Sequence, residues 1–395
     1  RSPRLPLSLL LPKTNNRLNM SASTVLAVWI ASFLTYSLGG FTSWLAFALC
    51  LTAYVTGGSP AQFKRSVHRV KTAIAGIKAL YQLTPAEVDD FLGSYELFDK
   101  DVVGDKDAQH IKNYYGVLNH LCSIGEVEKM YIPPLIDPTQ SILDNQLLFE
   151  AKMIRDLNIT KESHVLDVGC GRGLVLTNVA NSTGAAQLRG LNIDAVQVGI
   201  ANARKELLGQ NQIQYTQGDF NDPLPFPDNS FDALYQIQVI TYAKDKKALF
   251  AEMFRVLKPG GRLSFLDWVK FDAYDEKNPK HREIMRQVKP LIGAVDIPTG
   301  KELADILTDV GFEVTYSDNV SKGGLQADLI ESVDNYFRFF MWAMSTAVSW
   351  NLIPSHFKVL FDRFSLGGGA FIEGDRLGLF TTSYQTLATK PKVRA

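Results

Sequence analysis

The chain has 395 residues, 46% of them hydrophobic, and its 41 Lys and Arg balance 41 Asp and Glu. That length allows one large domain or two ordinary ones, and the zero net charge removes the bulk basic signature of a nucleic-acid binder. Three scattered cysteines, Cys50, Cys122 and Cys170, exclude a disulfide framework and a metal-ligand cluster, and suit a reducing compartment.

The charges are unevenly spread. No Asp or Glu precedes Glu87, whereas Arg1, Arg4, Lys13, Arg17, Lys64, Arg65, Arg69, Lys71 and Lys78 do. Residues 1–23, rich in Ser, Leu and Arg, are expected to form an extension, and their composition leaves an organelle transit segment open. From Ser21 to Phe63 there is no charged residue, and the middle of this stretch reads TVLAVWIASFLTYSLGGFTSWLAFALCLTAYV. A run of roughly 18 apolar residues suffices to cross hydrocarbon. Residues 24–56 are therefore expected to form a transmembrane segment, either one tilted span or a short hairpin broken at Gly39-Gly40. Trp29, Tyr36, Trp44 and Tyr54 suit its interfaces. The linker 57–110 opens with KRSVHRVKTAIAGIKALYQL. It reads as a basic amphipathic helix on the cytoplasmic side of a membrane, or as an ordinary solvated helix.

SHVLDVGCGRGLVLTNVANS predicts a strand over Val165–Val168, a tight turn at Gly169, Gly171 and Gly173, and a helix. A dinucleotide fingerprint would need glycine at position 174, where this chain has Leu174. The shorter loop, preceded by Asp167, suits a ligand with no pyrophosphate. AQLRGLNID ends a second strand about twenty residues on, where such folds place a ribose-binding side chain, here Asn192, with Asp194 two positions later. IQYTQGDF is a third strand ending in Gly218-Asp219-Phe220, a polar group and an aromatic face for a purine. FDALYQIQVI is a fourth strand, and MFRVLKPGGRLSFLDW gives a helix end, a glycine turn and a fifth strand. The alternation predicts an α/β fold, a doubly wound, mostly parallel sheet. YFRFFMWAMSTAVSWNLIPSHFKVLFDRF reads by default as helical core, and SLGGGAFIEGDRLGLF as a glycine-rich loop leading to a final strand. No repeat or metal-ligand spacing is present, so no metal is expected.

The ordered set of glycine loop, Asn192, Gly218-Asp219, LPFPDNSFD and VLKPGG resembles the S-adenosylmethionine-dependent methyltransferases of the Rossmann-like class. Three further stretches, DWVKFDAYDEKNPKHREIMRQV, VDIPTGKELADILTDVGFEV and GLFTTSYQTLATKP, together with NIDAVQV, resemble the sterol 24-C-methyltransferase family over roughly residues 110–392. The resemblance implies a methyltransferase domain at 111–285 and a C-terminal lipid-substrate region at 286–395 that completes the sheet. In that context the aromatic stretch of the C-terminal region would instead wall a lipid pocket or rest on the membrane. It implies S-adenosylmethionine as cofactor, contacted by Asp167, Gly169, Cys170, Gly171, Gly173, Asn192, Ile193, Gln197, Asp219, Phe220 and Gln236. It further implies methyl transfer to the side-chain alkene of a sterol or triterpenoid at the endoplasmic reticulum membrane, with no nucleic-acid partner and a homo-oligomer left open. The chain departs from the family in three places. Where the family carries an aromatic substrate motif, Cys122–Val127 reads CSIGEV and retains only Gly125; Gln238 and Tyr242 stand where it has glutamate and histidine; Asp267 stands where it has glutamate.

Alkene methylation places a carbocation on the substrate, which aromatic faces can stabilise by about 0.5–2 kcal/mol each when desolvated. A base must then remove a proton. Tyr114, Tyr115, Gln238 and Trp268 are the expected substrate contacts. Asp267, at the end of the fifth strand, is the expected base, with Tyr242 and Asp296 as the other candidates. Methylation of another membrane lipid (a prenylquinone, a tocopherol-like phenol or a phospholipid head group) and a non-catalytic cofactor- or lipid-binding role are the competing expectations.

Overall fold

Near-continuous apolar strands dictate a sheet covered on both faces, and this is what the chain builds. The computed structural model describes residues 75–101, 103–104, 107–124, 129–185, 187–365 and 367–392. The expected transmembrane segment 24–56 and the start of the basic linker lie outside the described residues. Among the described residues, no helix is long and apolar enough to cross a membrane.

The seven strands are β1 (His164–Val168), β2 (Gln187–Asn192), β3 (Ile213–Gln217), β4 (Phe231–Ile237), β5 (Leu257–Lys270), β6 (Glu313–Asn319) and β7 (Phe380–Thr389). They lie in the order β3-β2-β1-β4-β5-β7-β6. All neighbours are parallel except β7, which runs antiparallel to both β5 and β6. The order reverses between β1 and β4, so a crevice opens there at the carboxyl ends of the strands. The C-terminal region completes the sheet through β6 and β7, but the boundary drawn at 285/286 falls inside a helix, Pro279–Ile292.

Helices α1 (Pro85–Gly93), α2 (Asp107–Ile124) and α3 (Ile142–Asp156) precede the sheet. Thr84 and Glu87 form a capping box at the start of α1, and Ser141 and Asp144 form another at α3, each satisfying amides the first turn leaves unpaired. Between the strands lie α4 (Leu174–Thr183), α5 (Ala195–Leu208), α6 (Lys246–Val256), α7 (Pro279–Ile292) and α8 (Gly300–Val310). Then come α9 (Ala327–Ser349), α10 (His356–Ser365) and α11 (Gly368–Arg376).

Several expectations are corrected here. The fourth strand stops at Ile237, because Gln238 takes a left-handed φ of 54° and Tyr242 lies in a 3-10 turn, Ile240–Tyr242. Asp267 is inside β5 rather than at its end, since Val269 and Lys270 continue the pairing with Thr381 and Phe380 of β7. The glycine-rich loop after α10 is largely helix α11. Its Gly374 is needed for close approach, because a Cβ there would lie 2.8 Å from the Ile284 Cγ2 atom and run into the Phe380 ring. The aromatic C-terminal segment is not all core. Phe357 and Phe361 are buried beside Phe91, Tyr95 and Tyr114, but Trp342, Trp350 and Leu352 are 64%, 70% and 66% exposed.

Candidate active site

At the crevice between β1 and β4 lies a cleft open to solvent, where open α/β sheets bind their ligands. Its first wall is the turn after β1. Gly169 has φ 79° and Gly173 φ 73°. A Cβ on Gly169 would lie 2.6 Å from the Val239 Cγ2 atom, and one on Gly173 would run into the Tyr215 ring. The loop is thus pressed between the turn after β4 and strand β3, where no larger residue fits. The amides of Gly169 and Cys170 donate to the Leu191 carbonyl at 2.8 and 3.0 Å, so they hold the loop to β2 instead of reaching for a ligand.

Asp167 lines the cleft at the end of β1 and is almost wholly buried. Burial pushes its carboxyl up to about 8, the Tyr235 hydroxyl acts against that rise, and the charge of Glu150 adds to it. Asp194, at the end of β2, caps α5 by accepting from the Val196 amide at 2.8 Å through Oδ1. Its Oδ2 is buried at the cleft with no hydrogen-bond partner among the described residues. Asn192 donates to Gln197 at 3.0 Å, and Gln197 donates to Asn119 at 3.1 Å. Asp219 accepts from the Asn221 amide and side chain, both at 2.9 Å, beside the flat face of Phe220.

The opposite half of the cleft is apolar and phenolic: Ile111, Tyr115, Met130, Tyr131, Ile237, Val239 and Tyr242. The Tyr242 hydroxyl donates to the Gly293 carbonyl at 2.5 Å. It has one proton, so in its 3.1 Å contact with Tyr115 it must accept. The two phenols therefore form a directed chain from Tyr115 through Tyr242 to Gly293. Burial, then the neighbouring Tyr115 and Tyr114, push the Tyr242 hydroxyl well above the usual phenol range.

Residues 129–136 form a strap along this half, held by side chains distant in sequence. Gln238 accepts from the Ile132 amide at 3.0 Å and donates to the carbonyls of Ile132 at 2.8 Å and Thr382 at 3.0 Å. Gln146 of α3 donates to the carbonyls of Lys129 at 3.2 Å and Tyr131 at 2.9 Å. Asn145, Ser321 and Gln326 bond the backbone of Ile136, Leu135 and Pro133. The strap also brings a buried ion pair to the cleft, Lys129 with Glu150 at 2.6 Å.

Among the expected cofactor contacts, Asp167, Gly169, Cys170, Gly171, Asn192, Ile193, Gln197, Asp219 and Phe220 line the cleft. Gly173 stands behind the loop against Tyr215, and Gln236 is buried, donating to Asp267 at 3.0 Å. On the substrate side Tyr115, Gln238 and Tyr242 line the cleft. Tyr114 sits behind Tyr115, 2% exposed, with its hydroxyl 3.3 Å from the Pro290 carbonyl. Trp268 packs with Ile284, Met285, Val288 and Phe371 on the other side of the sheet's end, outside the lining. Asp296 is bound to Lys246 at 2.5 Å, also outside it. Asp267, fully buried, accepts from the amides of Ile240 at 2.9 Å, Val239 at 3.1 Å and Trp268 at 2.9 Å, as well as from Gln236. Burial raises its carboxyl to about 6 against those four donors. A carboxylate so occupied holds the turn after β4 in place and presents nothing to the cleft, which corrects its expected position. Lys129, Met130, Tyr131, Arg172 and Asn221 also line the cleft, and sequence reasoning missed them. Only the charged Lys129, close after the eroded aromatic motif, carried any signal.

A model described as a methyltransferase domain matches residues 166–265, the stretch that builds the cofactor half of the cleft. A sterol 24-C-methyltransferase of Gibberella zeae is 31% identical over 299 residues, covering 70% of this chain and 74% of that protein. The chain belongs to the sterol 24-C-methyltransferase family. A member from Neurospora crassa is 25% identical across 84% of this chain and 96% of its own length. Among solved structures, the [4+2]-cyclase SpnF matches with TM-score 0.58 at 20% identity, over 74% of this chain and 100% of its own. A putative sarcosine dimethylglycine methyltransferase from Galdieria sulphuraria matches with TM-score 0.53 at 20% identity, over 71% and 98%. Those two likenesses establish the fold alone. The family member described here is an S-adenosylmethionine-dependent methyltransferase, and its own residues fit that cofactor. The buried Asp167 carboxyl suits an ammonium, the orphan Asp194 Oδ2 a hydroxyl, and Phe220 the face of a purine.

Proposed function

We propose that the protein methylates the side-chain alkene of a sterol or related triterpenoid while held at the endoplasmic reticulum membrane. The carrying observation is the distribution of groups in the cleft. Its lining carboxylates, Asp167, Asp194 and Asp219, all stand on the cofactor side at the ends of β1, β2 and β3, while the other half offers no carboxylate among its described lining residues, only apolar side chains, phenols, the Gln238 amide and Lys129. Methylating a hydroxyl or amine calls for a base beside the nucleophile, whereas an alkene supplies its own electron pair, and the carbocation it becomes is acidic enough to lose its proton to water from the open side of the cleft. What such a substrate needs is an apolar wall and stabilisation of the cation that forms, and Tyr115, Tyr242, Tyr131 and Met130 supply both. S-adenosylmethionine, when bound, supplies the sulfonium methyl group. In this reading Asp167 pairs with its ammonium group, and Asp194 and Asn192 face its sugar. Tyr115 donates its hydroxyl proton toward Tyr242, which orients its electron-rich ring in the cleft. Tyr242, with its proton committed to Gly293, fixes that orientation, and Asp267 acts as a positioning residue by bonding the turn on which Val239 and Ile240 sit. The uncharged stretch 21–63, the basic residues after it and the exposed Trp342, Trp350 and Leu352 support membrane attachment.

The test is incubation of the membrane-bound protein with methyl-labelled S-adenosylmethionine and a total lipid extract. Label in a sterol or triterpene side chain supports the reading; label confined to a heteroatom of another lipid refutes it. Deleting residues 1–63 should release the protein into the supernatant or weaken its sedimentation with membranes, and unchanged sedimentation would remove that stretch as the anchor.

A further inference from the structure

The buried Lys129–Glu150 pair has no role in the mechanism above. Its environment is unusual for a structural ion pair. Glu150 is fully buried on α3 and has two other donors: the Tyr131 hydroxyl at 2.8 Å on the oxygen it shares with Lys129, and the Asn178 amide at 2.6 Å on the other. Lys129 neutralises the buried Glu150 charge, and that one contact does not use up its own donors. An ammonium group has three donors, and among the described residues Glu150 is the only acceptor the Lys129 ammonium has. The side chain is 7% exposed, and the residue lines the cleft. Gln146 fixes its position by bonding the Lys129 carbonyl. Glu150 in turn lies close enough to Asp167 for its charge to act there.

We infer that Lys129 binds the carboxylate of the cofactor's methionine moiety, and that with Glu150 and Asp167 it forms a buried charge set matched to that amino acid. The charges balance. With Asp167 ionised the three groups carry one net negative charge, while S-adenosylmethionine carries one net positive charge from its sulfonium, ammonium and carboxylate. Asp167 takes the ammonium beside the glycine loop, Lys129 takes the carboxylate, and Glu150 holds Lys129 in place from behind. The positive end of this set comes from the strap, which follows the segment where the family's aromatic motif is missing, so the strap serves cofactor selection as well as the substrate wall. Arg172 is the other cationic side chain on the lining, and its charge acts on His120 of α2.

The experiment is calorimetric titration of the full chain, in detergent and without any sterol, with S-adenosylmethionine and with its decarboxylated analogue. Wild type should prefer the intact cofactor. Lys129→Met should weaken the intact cofactor by about ten-fold or more while leaving the analogue unchanged, as expected for loss of one charge-assisted contact. Because Lys129→Met leaves Glu150 buried and unpaired, the double variant Lys129→Met/Glu150→Gln is measured beside it, with thermal melting to confirm folding. It too should bind both ligands equally. A parallel loss for both ligands, a preference that survives in the double variant, or a preference abolished by Arg172→Met instead would overturn the assignment. Since no lipid substrate is present, failure here leaves the alkene reading standing, and failure of that reading leaves this one.

Discussion

The two halves of the cleft are built by different means. The cofactor half rests on turns at the ends of β1, β2 and β3, where the acidic side chains are placed by near neighbours, Asp194 by the first turn of α5 and Asp219 by Asn221, and the turn after β1 is formed by its own glycines before Leu191, Val239 and Tyr215 close on it. The substrate half is placed by contacts that span the chain. Ile132 meets Gln238 at a separation of 106 residues, Gln238 meets Thr382 at 144, and Tyr115 meets Tyr242 at 127. Local encoding survives changes elsewhere in the sequence, whereas a wall assembled from distant segments can lose a motif and be rebuilt from other residues. Here the strap with Lys129, Met130 and Tyr131 follows the place where the aromatic motif is missing.

This contrast can be broken by substitution. The largest effect is expected at Gly169→Val, which combines a forbidden backbone angle with collision against Val239. Calorimetry should show cofactor affinity reduced by roughly a hundred-fold or more, about 2.7 kcal/mol, and affinity within a few-fold of wild type would show that the loop is not the binding element. Tyr242→Phe should act on the other half. It removes the acceptor for Tyr115 and leaves the Gly293 carbonyl unbonded, at a cost of about 1–3 kcal/mol in stability. Turnover should fall by roughly ten-fold with cofactor affinity unchanged; a matching loss of cofactor affinity would mean that the two halves are not separable.

Asp267→Asn joins the halves. An amide in place of the carboxylate can keep its oxygen for Val239, Ile240 and Gln236 but then sets its NH2 against the Trp268 amide, so a loss of about 1–3 kcal/mol in thermal stability is expected, together with weaker cofactor binding where the turn after β4 shifts. A residue acting as the base would instead lose turnover alone. Burial raises Asp167 to about 8 and Asp267 to about 6, so the folded state holds these protons more tightly than the unfolded chain does. Their combined contribution to stability should thus decline as pH rises from about 4 and level off above about 8. In Asp167→Asn the portion between about 6 and 8 should be lost from the melting profile, and an unchanged profile would show that Asp167 does not titrate there. The smallest effect is expected at Gln238→Glu, which keeps the acceptor for Ile132 but sets a carboxylate against two carbonyls. KM for the lipid should rise several-fold with little change in cofactor affinity, and an unaltered KM would detach Gln238 from the wall.

The same contrast explains what could be read from the sequence. Strands β1 to β5 and the cofactor-half residues were legible because apolar runs, glycines and turn residues act at short range. Trp268 and Tyr114 were misjudged because strand position and neighbouring identity do not reveal which face of an element meets the cleft. Asp267 looked available because nothing local shows that three backbone amides and Gln236 converge on it. Helix α11 was hidden behind its glycines, and the close approach that Gly374 serves is to Ile284, far earlier in the chain, as well as to nearby Phe380.

The central claim is that the electron pair receiving the methyl group belongs to a carbon–carbon double bond. Two sterols that differ only in whether the side chain carries that bond, each offered to the membrane-bound protein with methyl-labelled S-adenosylmethionine, test it directly. Label should enter the unsaturated sterol on a side-chain carbon and be absent from the saturated one. Equal labelling of both, at an oxygen or elsewhere on the shared ring system, would contradict it.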